Sequence, residues 1–370
     1  MTDLLYDADE EALRDSVRAL LAAHAPWQRV LTAVDDGDPR DETLWRRLVD
    51  QIGVTSLAVP VEHGGVGAGF REVAVVLEEL GRSVAPVPFL GAVVATRALL
   101  ACGETTLLCQ VAAAEREVAL AVGLATAPDA DPPPVTVGPG PTLSGRVTAV
   151  ADAAPRGLLL VPAGDGLYAV DAVEPAVRYE PVVSLDVTRP LVDIEFTAAP
   201  ARPVAVGAAA EAAVTEALTA GAALLASEQV GVAQWCLDTT VEYVRQRHQF
   251  GRPVGSFQAV KHRLADLWVE LTEARAVARY AADRLDAGDE AALAAALAQA
   301  YCGPVAVRAA ETCVQLHGGL GFTWEHPAHL YLKRAKSTAI AFGTADRHRA
   351  ALARLVDLPA PPVAQGAAVR

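Results

Sequence analysis

The stretch "AAAEAAVTEALTAGAALLASEQVGVAQWCLDTTVEYVRQR", from Ala208 to Arg247, carries no proline. It predicts one helix of roughly eleven turns at 3.6 residues per turn. Gly221 inside it costs about 1 kcal/mol relative to alanine, which a long helix tolerates. Two further segments have the same texture: "FQAVKHRLADLWVELTEARAVARYAADRLDAG", ended by Gly288, and "DEAALAAALAQAYCGPVAVRAAETCVQLHGG", predicted to be interrupted at Pro304. "TADRHRAALARLVD" closes the set. Long helices joined by short turns predict an antiparallel four-helix bundle over residues 207–357. The segment 358–370, rich in proline and alanine, is expected to be a flexible tail.

Upstream the period changes. "REVALAVGLA", "GLLLVPAG", "GLYAVDA" and "PLVDIEFT" are short and partly β-branched, separated by Gly, Pro and Asp. They predict a small β-barrel or sandwich over residues 113–206. "TAPDADPPPVTVGPGP" is expected to be a surface connector. Residues 1–112 return to helical spacing. Leu13, Val17, Leu20 and Leu21 recur on one face. "DETLWRRLVDQIG" should form a helix stopping at Gly53. "SLAVPVEHGGVGAG" breaks the pattern, and "FREVAVVLEELGRS" and "VPFLGAVVATRALLACG" resume it. The expected fold class is α+β: a helical domain, a small β domain, then a helical bundle.

The 370 residues suffice for a large core. A formal charge of −14 without a dense basic stripe argues against nucleic acid. No charge-free apolar run of about 20 residues appears, so no membrane span is expected. The acidic N-terminus lacks the pattern of a secretion signal, and the five cysteines lack metal-like spacing. Buried free thiols in a reducing cytoplasm are the expectation. No serine lies in a nucleophile-elbow context. The pairs Glu10–Glu11 and Glu78–Glu79 are adjacent on helices, so their side chains diverge and cannot form a carboxylate dyad.

Two motifs carry chemistry. Arg247 offers a planar fork suited to a diphosphate, and Gln249 and Gln258 offer amides to a nucleotide. Gly318 and Gly319 remove side chains where backbone must approach a ligand. The plainer alternative is that Arg247 pairs with a surface carboxylate and the glycines only end a helix. No βαβ unit surrounds them, so this is not a Rossmann fingerprint. Both motifs occur in order within "RQRHQFGRPVGSFQAVKHRLADL" and "CVQLHGGLGFTWEHPAHLYLKRAK", which closely resemble the two C-terminal signatures of acyl-CoA dehydrogenases. "LAVPVEHGGVGAG" with "VLEELGRS" resembles the N-terminal domain of that family. The resemblance extends to about residue 355. It implies FAD, an acyl-CoA or other acyl-thioester substrate, and α,β-dehydrogenation. It also implies cofactor contacts at Arg247, Gln249, Phe250, Gln258, Gln315, Gly318, Gly319 and Thr344.

One part of the resemblance fails. Many members carry a glutamate base immediately before the Gly-Thr that here is Gly343-Thr344, but the residue is Phe342. Others place it on an early bundle helix, at a position matching Gly221 or a neighbour, where "LTAGAALLA" has no carboxylate. A positioned base contributes about 10² to 10⁴ in rate. Glu228 is expected to pair within the bundle, Asp346 to start a helix, and His317 either to contact a nucleotide or to sit satisfied at a helix end. "RHRA" is expected to be a solvated face. The β-domain stretches "AVGLATAPDADPPP" and "SGRVTAVADAA" keep Thr126 and Thr148 but not the family's flavin-ring patterns. In the family, FAD lies at a dimer interface, and the retained motifs belong to the neighbour's half. The resemblance therefore points to the base-less chains of bacterial heteromeric (α2β2) steroid side-chain acyl-CoA dehydrogenases, with a paralogous subunit as partner. The alternatives are a stand-alone flavoenzyme whose base lies elsewhere, and a non-redox enzyme or scaffold on the same fold.

Overall fold

The computed structural model describes residues 4–37, 40–131 and 133–359. Most of the expected tail lies outside these. Six helices open the chain: α1 (Ala8–His24), α2 (Trp27–Asp35), α3 (Glu42–Ile52), α4 (Phe70–Ser83), α5 (Phe89–Cys102) and α6 (Thr105–Ala112). Asp7 caps α1, its carboxylate accepting from the Asp9 and Glu10 amides while Glu10 answers the Asp7 amide. Gly53 ends α3 in the left-handed conformation at φ +75°, as the sequence predicted. The short helices α2 and α6 were not anticipated. α2 has no side-chain cap to announce it, following Pro26 instead.

Eight strands follow: β1 (Val118–Leu120), β2 (Val135–Gly138), β3 (Thr142–Ala151), β4 (Leu158–Ala163), β5 (Gly166–Asp171), β6 (Val177–Val182), β7 (Leu191–Pro200) and β8 (Arg202–Val206). One sheet has the order β1-β4-β5-β8, with β1 and β4 parallel; the other, antiparallel throughout, runs β2-β3-β7-β6. Leu143, Val147, Ile194 and Phe196 from one sheet and Leu159, Val161 and Val170 from the other share a core. The expected proline-rich connector is partly a strand, since its Val135–Gly138 pairs with β3.

The C-terminal part comprises α7 (Ala208–Gln246), the short strands β9 (His248–Gln249) and β10 (Arg252–Pro253), α8 (Gln258–Ala287), α9 (Ala291–His317), α10 (Ala328–Thr338) and α11 (Ala345–Leu355). α9 runs unbroken through Pro304, contrary to expectation. Proline at 304 leaves the Ala300 carbonyl without its helical donor, and the Arg349 guanidinium of α11 reaches it at 3.4 Å. α10, between α9 and α11, was not separately predicted.

One core spans the N-terminal helices and the bundle, with α7 as its axis. Where α4 crosses α7 the backbones touch. A methyl group on Gly81 would lie 2.1 Å from the Glu228 carbonyl oxygen, and one on Gly231 would lie 1.9 Å from that of Glu78. α7 and α9 are apolar and long enough to span a bilayer, but 61% and 50% of their most apolar windows are buried in the protein, as core helices require. Three of the five cysteines are buried as expected; Cys109 is exposed and Cys102 intermediate, and all are free thiols.

Candidate functional site

The end of α7, the β9–β10 turn and the end of α9 enclose a cleft of about 640 Å³. Arg247, Gln249, Gln315, Gly318 and Gly319 line it together with Tyr243 and His317. Five of the eight residues expected to contact a cofactor therefore share one wall. Arg247 is exposed and forms no ion pair among the described residues, whereas Gly318 does end α9, as the plainer alternative expected. Gly318 adopts φ +62°, ψ −135°, which a side chain strongly disfavours. Gly319 has ordinary backbone, and a methyl group built on it would meet nothing within 4 Å. Neither conformation nor packing within this chain calls for glycine there. Phe250, Gln258 and Thr344 stand outside the cleft wall. Phe250, 91% exposed, occupies the β9–β10 tip at φ +53° with its ring edge-on to Phe257. Gln258 opens α8 and Thr344 caps α11.

His317 closes α9 and is only 3% exposed. Its ring stacks on Tyr243 with centroids 4.3 Å apart and lies 4.2 Å from the His326 ring. Nδ1 donates to the Cys313 carbonyl at 2.7 Å, while Nε2 is buried without a partner. The expectation of a histidine satisfied at a helix end is thus half met.

The second region lies where α11 meets the β domain. Phe342 has φ +54° and its amide donates to the Leu124 carbonyl at 2.8 Å. His348 Nε2 donates to the Phe342 carbonyl at 3.0 Å. The phenyl ring, 5% exposed, fills the space beside α7. A methyl group on Gly221 would lie 2.7 Å from Phe342 Cζ and 3.0 Å from Val94 Cγ2. The two positions where the resemblance places a carboxylate are therefore adjacent in space, and one phenyl ring covers both. The neighbouring segment is clasped to the loop after β1. A methyl group on Gly343 would lie 3.0 Å from Ala127 Cβ, and Asp129 pairs with Arg347 at 2.8 Å and Arg354 at 2.7 Å. The solvated face expected for "RHRA" holds for Arg347 and Arg349 but not for His348. His348 is buried against the Phe342 carbonyl, and that burial pushes its pKa below the ordinary value. Asp346 lies in the first turn of α11, as expected, paired with Arg349.

Glu228, 1% exposed, sits in a charge cluster that sequence reasoning saw only in part. Its carboxylate pairs with Arg334 of α10 at 3.0 Å and with Arg189 of the β6–β7 loop at 2.5 Å. Arg334 also reaches Asp186 at 2.7 Å and Thr188 at 2.6 Å. Burial pushes the Glu228 carboxyl up, but the two guanidiniums outweigh it and hold its pKa below the ordinary 4.5. Two carboxylates and two guanidiniums balance, which a buried cluster requires. Glu228 thus ties the bundle to the β domain. A separate cleft of about 600 Å³ lies between α3 and the starts of β1 and β4. None of the expected cofactor residues lines it. Asp152 on its wall accepts the Gly91 amide near the start of α5 at 2.8 Å.

Residues 7–107 match the acyl-CoA dehydrogenase N-terminal domain, and residues 212–356 match the acyl-CoA dehydrogenase C-terminal domain. Acyl-CoA dehydrogenase IpdE2 of Mycolicibacterium smegmatis is 36% identical over 335 residues, covering 90% of this chain and 94% of that protein. The chain belongs to the acyl-CoA dehydrogenase family. Among solved structures, a variant of the Tcur3481-Tcur3483 steroid ACAD superposes with a TM-score of 0.83 at 30% identity, covering 94% of this chain and 98% of that one. The ChsE4-ChsE5 complex from Mycobacterium tuberculosis gives 0.81 at 30% identity, covering 97% and 100%. Butyryl-CoA dehydrogenase from Megasphaera elsdenii, 20% identical with a TM-score of 0.83, shares the fold.

Two observations test whether this family member's cleft suits a flavin nucleotide. His317, whose buried Nε2 has no partner, and Gly319, with empty space over it, both line a volume within the range of small-molecule sites. Together with the unpaired Arg247, they fit the adenosine diphosphate half of FAD. The region around Phe342 does not offer the same for a ring system, because protein atoms already bridge it.

Proposed function

We propose that this chain is the non-catalytic subunit of a cytoplasmic heteromeric acyl-CoA dehydrogenase acting in lipid or steroid side-chain β-oxidation. In this reading its cleft completes the FAD site of a paralogous, base-bearing subunit. The observation that carries the reading is the Phe342 ring against Gly221, which leaves no carboxylate at either expected base position and fills the space between them. The Leu124–Phe342 hydrogen bond and the Asp129 pairs support it, because they draw the β domain onto the segment that would otherwise border a flavin ring. Arg247, Gln249, Gln315 and the Gly318–Gly319 backbone would hold the diphosphate and adenosine half. The bound flavin supplies the hydride acceptor. The chain's own contribution is binding and orientation, with the acyl thioester and the base on the partner. Exposed Phe250 and Phe322, at the β9–β10 tip and just past the glycines, give the cleft an apolar rim suited to a protein neighbour.

Co-expression with a paralogous, base-bearing acyl-CoA dehydrogenase subunit tests this. The pair is expected to co-purify, to show visible flavin absorbance, and to lose most of its flavin with Arg247→Ala. A purified chain that is yellow alone and whose absorbance acyl-CoA bleaches would overturn the subunit role.

A further inference from the structure

The cleft of about 600 Å³ between α3 and the starts of β1 and β4 shares no lining residue with the cleft at Arg247. Its volume falls in the range of small-molecule sites. Trp45 and Val49 of α3, Ala92 of α5, Val118 of β1 and Leu158 of β4 supply an apolar wall. The charged residues around it divide into two sets. Glu42 and Glu117 are both held by Arg40 and Arg156, and Asp171 pairs with Arg116 at 3.4 Å. Asp50, Glu115, Asp152 and Arg46 line the cleft with no ion-pair partner among the described residues. Three unpaired acids against one unpaired base favour a cation.

Asp152 is the acid built into the wall. Asp50, Glu115 and Arg46 are exposed, but Asp152 is half-buried. Glycine at 91 makes room for it, since a methyl group there would lie 2.6 Å from Asp152 Cβ. Its Oδ2 accepts the Gly91 amide at 2.8 Å, while Oδ1 accepts from no group among the described residues. Tying the start of α5 uses one oxygen and leaves the other without a donor from this chain. Burial pushes the carboxyl up, against the pull of the Arg189 guanidinium and the Gly91 amide. A desolvated carboxylate in that position gains most from a charged N–H donor. We propose that this cleft binds a small organic ammonium, its nitrogen donating to Asp152 Oδ1 and its apolar body lying along Trp45, Val49 and Leu158. An anion would meet three unpaired acids, and a neutral alcohol would leave the charge of Asp152 unmatched. This goes beyond the flavin-site reading and does not rest on it.

Calorimetric titration of the full-length chain with hexylammonium, 1-hexanol and hexanoate tests this with one apolar body carrying three head groups. Hexylammonium is expected to bind more tightly than hexanol, and hexanoate to give no binding heat. Asp152→Asn keeps an oxygen for the Gly91 amide and removes the charge. Hexylammonium affinity should then fall about 10- to 100-fold, the size of a charge-assisted hydrogen bond, with hexanol affinity changed by less than about 3-fold. Glu211→Gln removes the same charge from an exposed residue at the start of α7, outside the cleft wall, and should leave hexylammonium affinity unchanged. Ala154→Phe puts a ring into the cleft without altering any charge and should abolish binding of hexylammonium and hexanol alike. That variant decides the matter if Asp152→Asn fails to fold. Hexanoate binding as tightly as hexylammonium, equal losses in the Asp152→Asn and Glu211→Gln chains, binding that survives Ala154→Phe, or no hexylammonium binding at all overturns the proposal. Flavin retention by the heteromeric pair is a separate measurement, and its failure leaves this cleft untouched.

Discussion

The contact between Phe342 and Gly221 makes a quantitative prediction, because each residue sets the cost of changing the other. Phe342→Ala removes a buried phenyl ring that belongs to the core shared by the N-terminal helices and the bundle. Such truncations cost about 3–5 kcal/mol. Gly221→Ala adds a methyl group 2.7 Å from the ring, inside any real contact distance. Overpacking of this kind costs about 1–3 kcal/mol, offset by the roughly 1 kcal/mol that alanine gains over glycine inside a helix. The single change should therefore cost between about 0 and 2 kcal/mol. With the ring gone, the two nearest clashes of the added methyl are removed, leaving Val94 Cγ2 at 3.0 Å as the tightest contact, and the helix gain should show. The double variant is then more stable than the sum of the singles by about 1–3 kcal/mol. Urea unfolding of the four proteins, compared through midpoints at constant m-value, measures this coupling. A coupling below about 0.5 kcal/mol, or a Phe342→Ala cost below about 1 kcal/mol, would mean that the ring is not the filling of this space and would remove the main support for the subunit reading.

Phe342→Glu in the isolated chain should yield a colourless, inactive protein, because the Leu124 hydrogen bond and the Asp129 pairs still close the neighbouring segment; a yellow, substrate-bleached variant would show that only the base was missing. Glu228→Gln leaves Arg189 and Arg334 facing one fewer buried charge and should cost about 3–5 kcal/mol near neutral pH. The same residue contributes to the acid limb. With its folded pKa held below the ordinary 4.5, its stabilisation is present above about 4.5 and is lost as pH falls through the lower folded value. The wild-type urea midpoint should fall more steeply in that acid range than the Glu228→Gln midpoint, and parallel profiles would contradict the cluster's charge assignment.

The fold was legible because its signals are local and repeated. α7 is a single helix for the reason its sequence gives, alanine and leucine without proline, and the change to short strands at β1 is a change of period. What escaped depended on contacts between distant segments. Pro304 looked like a break, but α9 continues because Arg349, from α11, reaches the carbonyl that proline leaves exposed. His348 looked like part of a solvated basic run, but the Phe342 carbonyl, turned inward by a positive φ, gives it a buried partner. Glu228 was placed correctly in a structural role, yet its partners Arg189 and Arg334 come from a β-domain loop and from a helix not separately predicted.

The same distinction explains why one half of the candidate site could be read and the other could not. Arg247, Gln249, Gln315, Gly318 and Gly319 fall in two compact motifs, each held at a helix end, so two short stretches of sequence suffice to build the cleft. The region around Phe342 draws on α5, α7, the loop after β1 and the turn before α11, and its character depends on which of those segments touch. Sequence could show that the two positions where the resemblance places a base carry no acid. That the two absences are a single packing event, with a ring on one segment matched by a glycine on another, required three dimensions. A chain that had merely lost a base would be expected to leave space or polar groups where the carboxylate had stood. Here the space is filled by a side chain for which Gly221 makes room, and the adjacent loop is hydrogen-bonded across it. In a chain whose other cleft keeps an unpaired arginine and an orphaned imidazole nitrogen, that combination supports the proposed specialisation to one half of a shared site over decay of the whole.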